Sequence, residues 1–98
     1  MEKHTPHYPL SEVKACIRKG KVRTTNTAIK GAASLGFDVP GMIATVENLT
    51  MQDFYKSMTT YKDHRIWHDV YRPQTNAGEV YLKLIIVEGL LIVSFKEL

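Results

Sequence analysis

The sequence predicts an α+β fold in which N-terminal helices pack on a twisted antiparallel β-sheet formed mainly by the C-terminal half. Apolar residues recur at helical spacing in the first half of the chain and at every second position beyond Tyr55. The later segments are also rich in Tyr, Thr, Val, Ile and Phe, and Asp, Pro and Gly separate them. Helices that precede the strands, instead of alternating with them, are typical of α+β proteins.

Length and composition limit the possible functions. A chain of 98 residues has room for one modest core, so we expect a single domain over residues 1–98. The net charge of +3 favours polyanionic partners. A single cysteine, Cys16, excludes an internal disulfide and a metal site built on paired thiolates. No signal peptide or membrane span is evident, so we expect a cytoplasmic protein without membrane association.

The first elements are an edge segment and a short helix. Residues 3–8 are polar and contain Pro6, so they form at most a short edge strand. In LSEVKACIRKG, apolar residues at helical spacing predict an amphipathic helix. We expect Ser11 to be its N-cap and Gly20 to lie just beyond its end.

Two further helices are predicted before the strands begin. In TTNTAIKGAASLG, either Thr25 or Asn26 fits the N-cap and Gly36 ends the helix. Apolar spacing over residues 42–49 predicts a third helix that ends near Asn48. The next four residues, which begin with Thr50, resemble a capping box for one more helical turn.

The last two predicted strands form a hairpin. We place a two-residue turn at Glu88-Gly89, because glycine readily adopts the positive φ that such a turn requires. Counting outward from this turn gives the opposed pairs on one face: Val87–Leu90, Ile85–Ile92, Lys83–Ser94 and Tyr81–Lys96. The other face is wholly apolar and is expected to pack on the helices; it carries Val80, Leu82, Leu84, Ile86, Leu91, Val93 and Phe95.

The first face of this hairpin gathers polar groups at its open end. Lys83, Lys96, Ser94 and Tyr81 should lie within a few ångströms of one another. Two interpretations are open. An anion bound between the lysines would offset their repulsion, or the lysines are surface side chains whose charges remain in water.

Several long strings in the sequence resemble one known family. DFYKSMTTYKDHRIWHDVYRP, GEVYLK and LIVSFKE, with the opening MEKHTPH apart from its fourth residue and with VRTT, resemble the motility quorum-sensing regulator (MqsR) toxins. These toxins belong to the RelE-like group of bacterial messenger-RNA interferases. The resemblance covers nearly the whole chain. It implies a RelE-like α+β fold and a toxin of a type II toxin–antitoxin system.

The resemblance also implies an activity and partners. We expect ribosome-independent cleavage of messenger RNA at short GC-containing sites. We also expect a cognate MqsA-like antitoxin, with a zinc-binding domain that grips the toxin and a helix-turn-helix domain that binds DNA. The family's proposed catalytic set falls on Lys56, Tyr81, Lys96 and position 68. The family commonly has Gln at this last position, whereas this chain has His68.

Cleavage of RNA without a metal uses the 2′-hydroxyl of the substrate as nucleophile. The protein must then supply a base, an acid and positive charge for the phosphorane. Lys56 fits a general base or acid if neighbouring cations lower its pKa, Tyr81 fits a proton carrier or phosphate donor, and Lys96 fits an electrostatic stabiliser. His68 fits either a hydrogen-bond donor or a proton-transfer group. We expect no metal or other cofactor.

Three more cations are candidate phosphate contacts. Lys83 lies beside the expected site. Arg72 either clamps a phosphate or forms a salt bridge with Asp69 or Glu79. Arg23, in a basic cluster between the first two helices, either holds RNA backbone or is part of a solvated face.

Two alternative functions use the same residues. A module that binds RNA without cutting it would explain the charge, and a docking protein would act only through its antitoxin. Loss of growth arrest in Lys56→Ala and Tyr81→Phe favours cleavage, whereas a docking protein tolerates both changes.

Overall fold

A computed structural model describes all of residues 1–98 and contains the predicted helices and strands. The helices are α1 (Leu10–Arg18), α2 (Asn26–Ser34) and α3 (Val39–Glu47), followed by one turn of 3-10 helix (Met51–Asp53). The strands are β1 (Glu2–Lys3), β2 (Val22–Thr24), β3 (Phe54–Thr59), β4 (Trp67–Tyr71), β5 (Gln74–Thr75), β6 (Gly78–Ile86) and β7 (Leu90–Glu97). The predicted α+β class is confirmed, with the helices on one face of the sheet.

The sheet is mixed, and this differs from the purely antiparallel sheet expected. The strand order is β1-β3-β4-β6-β7-β2, and β5 pairs with β6. All pairs are antiparallel except β2, which runs parallel to β7. β2 connects α1 to α2 and has three residues, which are too few to show a period of two.

Residues next to the ends of α1 and α2 determine where these helices begin and end. Gly20 and Gly36 both have positive φ, at 71° and 85°, as predicted for residues just beyond a helix end. Thr25 is the N-cap of α2, and its hydroxyl accepts a hydrogen bond from the Ala28 N–H at 3.0 Å. The prediction that Ser11 caps α1 is wrong. The helix begins one residue before Ser11, and the carbonyl of Pro9 accepts the first hydrogen bonds.

The third helix begins at Val39, earlier than the predicted apolar spacing over residues 42–49, but its end and the turn after it are as predicted. The carboxylate of Asp38 caps α3 by accepting from the Gly41 N–H at 2.8 Å, and Asn48 ends the helix. In the 3-10 turn, the Asp53 carboxylate accepts from the Thr50 N–H at 2.9 Å, which confirms the capping box. This turn leads the chain directly into β3.

The hydrophobic core lies between the three helices and one face of the sheet. Its members are Val13, Ala28, Ala32, Met42, Val46, Leu49, Tyr71, Val80, Leu82, Leu84, Leu90, Ile92 and Phe95. Contact between α2 and β7 is especially close at Gly31, where a Cβ atom would collide with the carbonyl oxygen of Phe95. Gly31 therefore allows the helix to approach the strand that carries Lys96.

The β6–β7 turn differs from the predicted one. Three residues, Val87 to Gly89, connect the strands, and Glu88 and Gly89 have φ of 53° and 102°. The pairs nearest this turn are Ile86–Leu90, Ile85–Leu91 and Leu84–Ile92. The predicted pairs Val87–Leu90 and Ile85–Ile92 are therefore wrong, because the prediction assumed a shorter loop.

A bulge in β7 then restores the predicted pairing at the open end. The register shifts between Lys83 and Leu84, so Val93 is an extra residue in β7. The hydroxyl of Thr25 donates to the Val93 carbonyl at 2.8 Å, which ties the bulge to the start of α2. Leu90 and Ile92 consequently enter the core in place of Leu91 and Val93. Beyond the bulge, Lys83 faces Ser94 and Tyr81 faces Lys96, as predicted.

Candidate active site

The sheet face opposite the helices carries the candidate site. One cross-strand row on this face runs from Lys56 through Val70 and Lys83 to Ser94. Because side chains alternate along a strand, Tyr81 shares the face of Lys83, Lys96 shares that of Ser94, and His68 shares that of Val70. All four expected catalytic side chains therefore project from the same face of the sheet.

A second bulge brings Lys56 onto this face. The register of β3 shifts between Phe54 and Lys56, so Tyr55 is an extra residue. Phe54 packs edge-on against Tyr71 on the helix side, with 5.4 Å between ring centroids. Without the extra residue, strict alternation would turn Lys56 towards the core. The bulge instead places Tyr55 beside Lys56, with the ammonium nitrogen 5.3 Å from the ring centroid.

Two lysine ammonium groups lie over the ring of Tyr81. Lys96 Nζ is 5.4 Å and Lys83 Nζ is 6.0 Å from the ring centroid. Neither ammonium forms an ion pair within the chain. Burial first, and then the charges of Lys96 and Lys56, lower the pKa of Lys83. A compact positive charge without an internal counter-ion is suited to binding a phosphate.

Lys56 differs from the other lysines because it has an anionic partner. Its Nζ donates to the Glu2 carboxylate at 2.8 Å. The hydrogen bond to Glu2 raises the pKa of Lys56 and lowers that of Glu2. The expectation that neighbouring cations lower the pKa of Lys56 is therefore wrong, and this lysine carries a proton over the whole physiological range.

His68 is partly buried between charged neighbours. Burial, with a further effect of the Lys83 charge, lowers the pKa of its imidazole below 6.5, while Asp69 opposes this shift. The imidazole is consequently neutral near pH 7. Its Nδ1 is buried and has no hydrogen-bond partner in the protein. A neutral imidazole has one nitrogen that can accept a proton.

The two arginines lie in different places. Arg72 stands at the rim of the site, where its guanidinium is 4.9 Å from the Tyr55 ring centroid and donates to Glu79 at 3.3 Å. Of the two alternatives for Arg72, the salt bridge with Glu79 is therefore formed. Arg23 lies near the β6–β7 turn, at the other end of the hairpin, and donates to the Val87 carbonyl at 2.7 Å. The structure does not bring Arg23 to the candidate site.

The candidate site is an open surface. The three concavities of the molecule are lined by other residues, and none includes Lys56, His68, Tyr81 or Lys96. No group of three or more His, Cys, Asp or Glu side chains is arranged to hold a metal ion. None of the helices is long and apolar enough to cross a membrane. Lys96 on this face is exposed, and Lys56, His68, Tyr81 and Lys83 are half-buried, so a large, extended ligand can contact them from one side.

Comparison with known proteins identifies the family. A family model described as "Motility quorum-sensing regulator, toxin of MqsA" matches residues 5–97. The chain belongs to this toxin family. It is 55% identical over 97 residues to the mRNA interferase toxin MqsR of Escherichia coli (strain K12), and the alignment covers 99% of each chain. The resemblance inferred from the sequence strings is confirmed.

The sequence does not predict two residues of the site in this member of the toxin family. Glu2 contacts Lys56 across a separation of 54 residues, and no short-range pattern predicts that contact. Tyr55 and Lys56 share this face only because of the bulge between Phe54 and Lys56. A tyrosine next to a lysine in a strand would normally lie on the opposite face.

Proposed function

We propose that this chain is the toxin of a type II toxin–antitoxin system and that it cleaves messenger RNA in the cytoplasm. The proposed cleavage needs neither the ribosome nor a metal ion and takes place at short GC-containing sites. The observation that carries this proposal is the unpaired positive charge of Lys83 and Lys96 around Tyr81. The similarity to an mRNA interferase toxin along the whole chain supports it.

In the proposed reaction, the 2′-oxygen of the substrate attacks the adjacent phosphorus. His68 is the base that receives the 2′-hydroxyl proton, because its lowered pKa keeps the imidazole neutral. Lys56 is not suited to this step, since Glu2 raises its pKa. The new bond between oxygen and phosphorus gives a phosphorane whose added negative charge requires stabilisation.

Lys83 and Lys96 provide that stabilisation, and Tyr81 donates a hydrogen bond to a phosphate oxygen. The bond between phosphorus and the 5′-oxygen then breaks. Lys56, which is protonated, supplies the proton to the departing oxygen. The products are a 2′,3′-cyclic phosphate on one fragment and a 5′-hydroxyl on the other. No covalent bond to the protein forms at any step.

Tyr55 and Arg72 provide a surface for the RNA on either side of the scissile phosphate. Tyr55 is 44% exposed and has two cationic groups near its ring, so its exposed part can stack with an unpaired base of an anionic strand. Arg72 can contact a neighbouring phosphate if it releases Glu79. Arg23, near the β6–β7 turn, remains a proposed contact for a more distant part of the RNA backbone.

The proposed partner is a cognate MqsA-like antitoxin with a zinc-binding domain and a DNA-binding helix-turn-helix domain. The description of the matching family as the toxin of MqsA supports an antitoxin partner. Binding of this antitoxin is expected to suppress growth arrest by the toxin.

Incubation of the purified protein with a defined messenger RNA in EDTA tests the proposed function. Fragments that end in 2′,3′-cyclic phosphate and 5′-hydroxyl are expected. Lys56→Ala should slow their formation about 100-fold or more, whereas Lys30→Ala, at an exposed position on α2, should cut normally. If folded wild-type protein binds the RNA but leaves it intact, the protein is an RNA-binding module and not a nuclease.

A further inference from the structure

We infer that Glu2 is a positioning residue for the proposed cleavage: its carboxylate holds the Lys56 ammonium in place. This inference rests on the proposed function of the site. It begins from the 2.8 Å contact between Glu2 Oε2 and Lys56 Nζ. Each of the other two ion pairs joins residues that are close in sequence, Arg65 to Asp63 and Arg72 to Glu79.

The N-terminal segment is fixed on the sheet in a way that determines where Glu2 lies. β1 pairs antiparallel with β3, and Glu2 lies opposite Met58. The Thr59 N–H donates to the Met1 carbonyl at 2.9 Å, so the chain is held on both sides of Glu2. A strand of two residues has little stability alone, so other contacts must hold it there.

Those contacts come from β4. The Asp69 carboxylate is fully buried and accepts hydrogen bonds from the backbone N–H groups of His7 at 3.0 Å and Tyr8 at 2.9 Å. The Lys3 ammonium lies 4.3 Å from the centroid of the Trp67 ring, on which the His7 ring stacks at 5.7 Å. The strand that carries His68 thus also anchors the segment that carries Glu2.

This arrangement suits the role of Lys56 as proton donor in the proposed mechanism. A lysine side chain has many rotamers, and the ion pair restricts the ammonium to one edge of the site before RNA binds. An ammonium has three donors, so two remain for phosphate oxygens after one binds Glu2. The nearby carboxylate also favours the protonated ammonium, which the departing 5′-oxygen requires.

Glu2→Gln tests this inference, with Glu47→Gln as a matched control. Glu47 is an exposed glutamate at the end of α3, on the helix side of the sheet, and it forms no ion pair. In single-turnover cleavage of a short RNA, Glu2→Gln should lower the maximal rate about tenfold. The RNA concentration at half-maximal rate should not rise, because the change removes a negative charge beside the site. Glu47→Gln should cleave at the wild-type rate.

A double-mutant cycle separates positioning from a general effect on structure. In a Lys56→Ala background, Glu2→Gln should cause no further loss, because Glu2 acts through Lys56. An equal loss in both backgrounds would overturn the inference, as would a wild-type maximal rate in Glu2→Gln.

A second readout does not depend on cleavage. In a protein with ¹³C-labelled lysine, the signal of Lys56 should titrate at lower pH in Glu2→Gln than in the wild type. An unchanged titration contradicts the role assigned to Glu2. If the titration shifts but the wild type does not cut RNA, the ion pair exists and the proposed function fails.

Discussion

Tyr81 and Lys96 occupy directly opposed positions on β6 and β7, and the Lys96 ammonium lies 5.4 Å from the centroid of the Tyr81 ring. The pair stands at the open end of the hairpin, beyond the bulge at Val93. A hydroxyl donor and a cation are thereby held over the same small area of the sheet. An anion that binds this area can contact both groups at once.

The hydroxyl group of Tyr81 is the first target for mutation. Tyr81→Phe removes this donor and retains the ring on which the lysines lie. We expect RNA cleavage to fall about 100-fold, a typical loss when one proton-transfer or oxyanion donor is removed. The melting temperature should change little, since Tyr81 lies outside the helix-side core. Wild-type cleavage rates in this variant would exclude a role for the hydroxyl.

His68 should give the protein a dependence on pH. Its pKa in the folded protein is lowered, so the unfolded state, with a pKa of about 6.5, binds a proton first as the pH falls. The stability contributed by the neutral imidazole is present above pH 6.5 and is lost as the pH falls through the folded pKa. Chemical denaturation between pH 7.5 and about 5 should therefore show a steeper loss of stability in the wild type than in His68→Gln. Parallel curves would contradict the lowered pKa.

The same histidine should control the acid limb of the cleavage rate. If neutral His68 is the base, the rate falls as the imidazole becomes protonated, at a pH below its usual titration range. His68→Ala should cut slowly and lose this limb. A wild-type profile in His68→Ala would assign the base to another group.

Replacement of Lys83 should stabilise the fold but weaken RNA binding. Burial and the nearby lysines disfavour its charged form, so Lys83→Met should stabilise the fold by about 0.5–1 kcal/mol, measured by denaturant unfolding. The same change should weaken RNA binding and reduce the salt dependence by about one counter-ion. Lys30→Met, at an exposed position on α2, should do neither. Lower stability in Lys83→Met would show that the charged lysine stabilises the fold at this position.

Gly31 should be intolerant of a side chain although it lies within a helix. Alanine normally favours a helix over glycine by about 1 kcal/mol, but a Cβ at this position meets the Phe95 carbonyl oxygen. We expect Gly31→Ala to destabilise the protein by about 2 kcal/mol, within the usual range for overpacking. Ala33→Gly, at an exposed position of the same helix, provides the control and should cost about 1 kcal/mol. A stabilised Gly31→Ala would mean that α2 can move away from β7.

The sequence predicts the pairing of Tyr81 with Lys96 although it misplaces the turn. The loop has one residue more than predicted, and the bulge at Val93 adds one residue to β7, so the two errors cancel beyond Lys83. No periodic pattern identifies such a bulge, because Val93 is as apolar as the two residues before it, Leu91 and Ile92. The prediction thus fails for the faces of Leu91 and Val93 and succeeds where the polar residues lie.

Local signals and long-range contacts differ in how well they can be predicted. Gly20, Gly36 and the Thr25 cap act within one helical turn, and the sequence identifies both glycines and gives Thr25 as one of two candidates for the cap. The parallel pairing of β2 and the contact between Glu2 and Lys56 depend on the assembled sheet. The raised pKa of Lys56 could not be predicted, because it depends on the second of these contacts.

The most direct test of the central claim maps where RNA binds before it is cut. An RNA with 2′-deoxyribose at the scissile nucleotide lacks the nucleophile and should remain intact. In ¹H–¹⁵N NMR spectra, this RNA should shift the signals of Lys56, His68, Tyr81, Lys83 and Lys96 and leave those of the helix face unchanged. Shifts confined to the helix face, or cleavage of the 2′-deoxy RNA, would contradict the account.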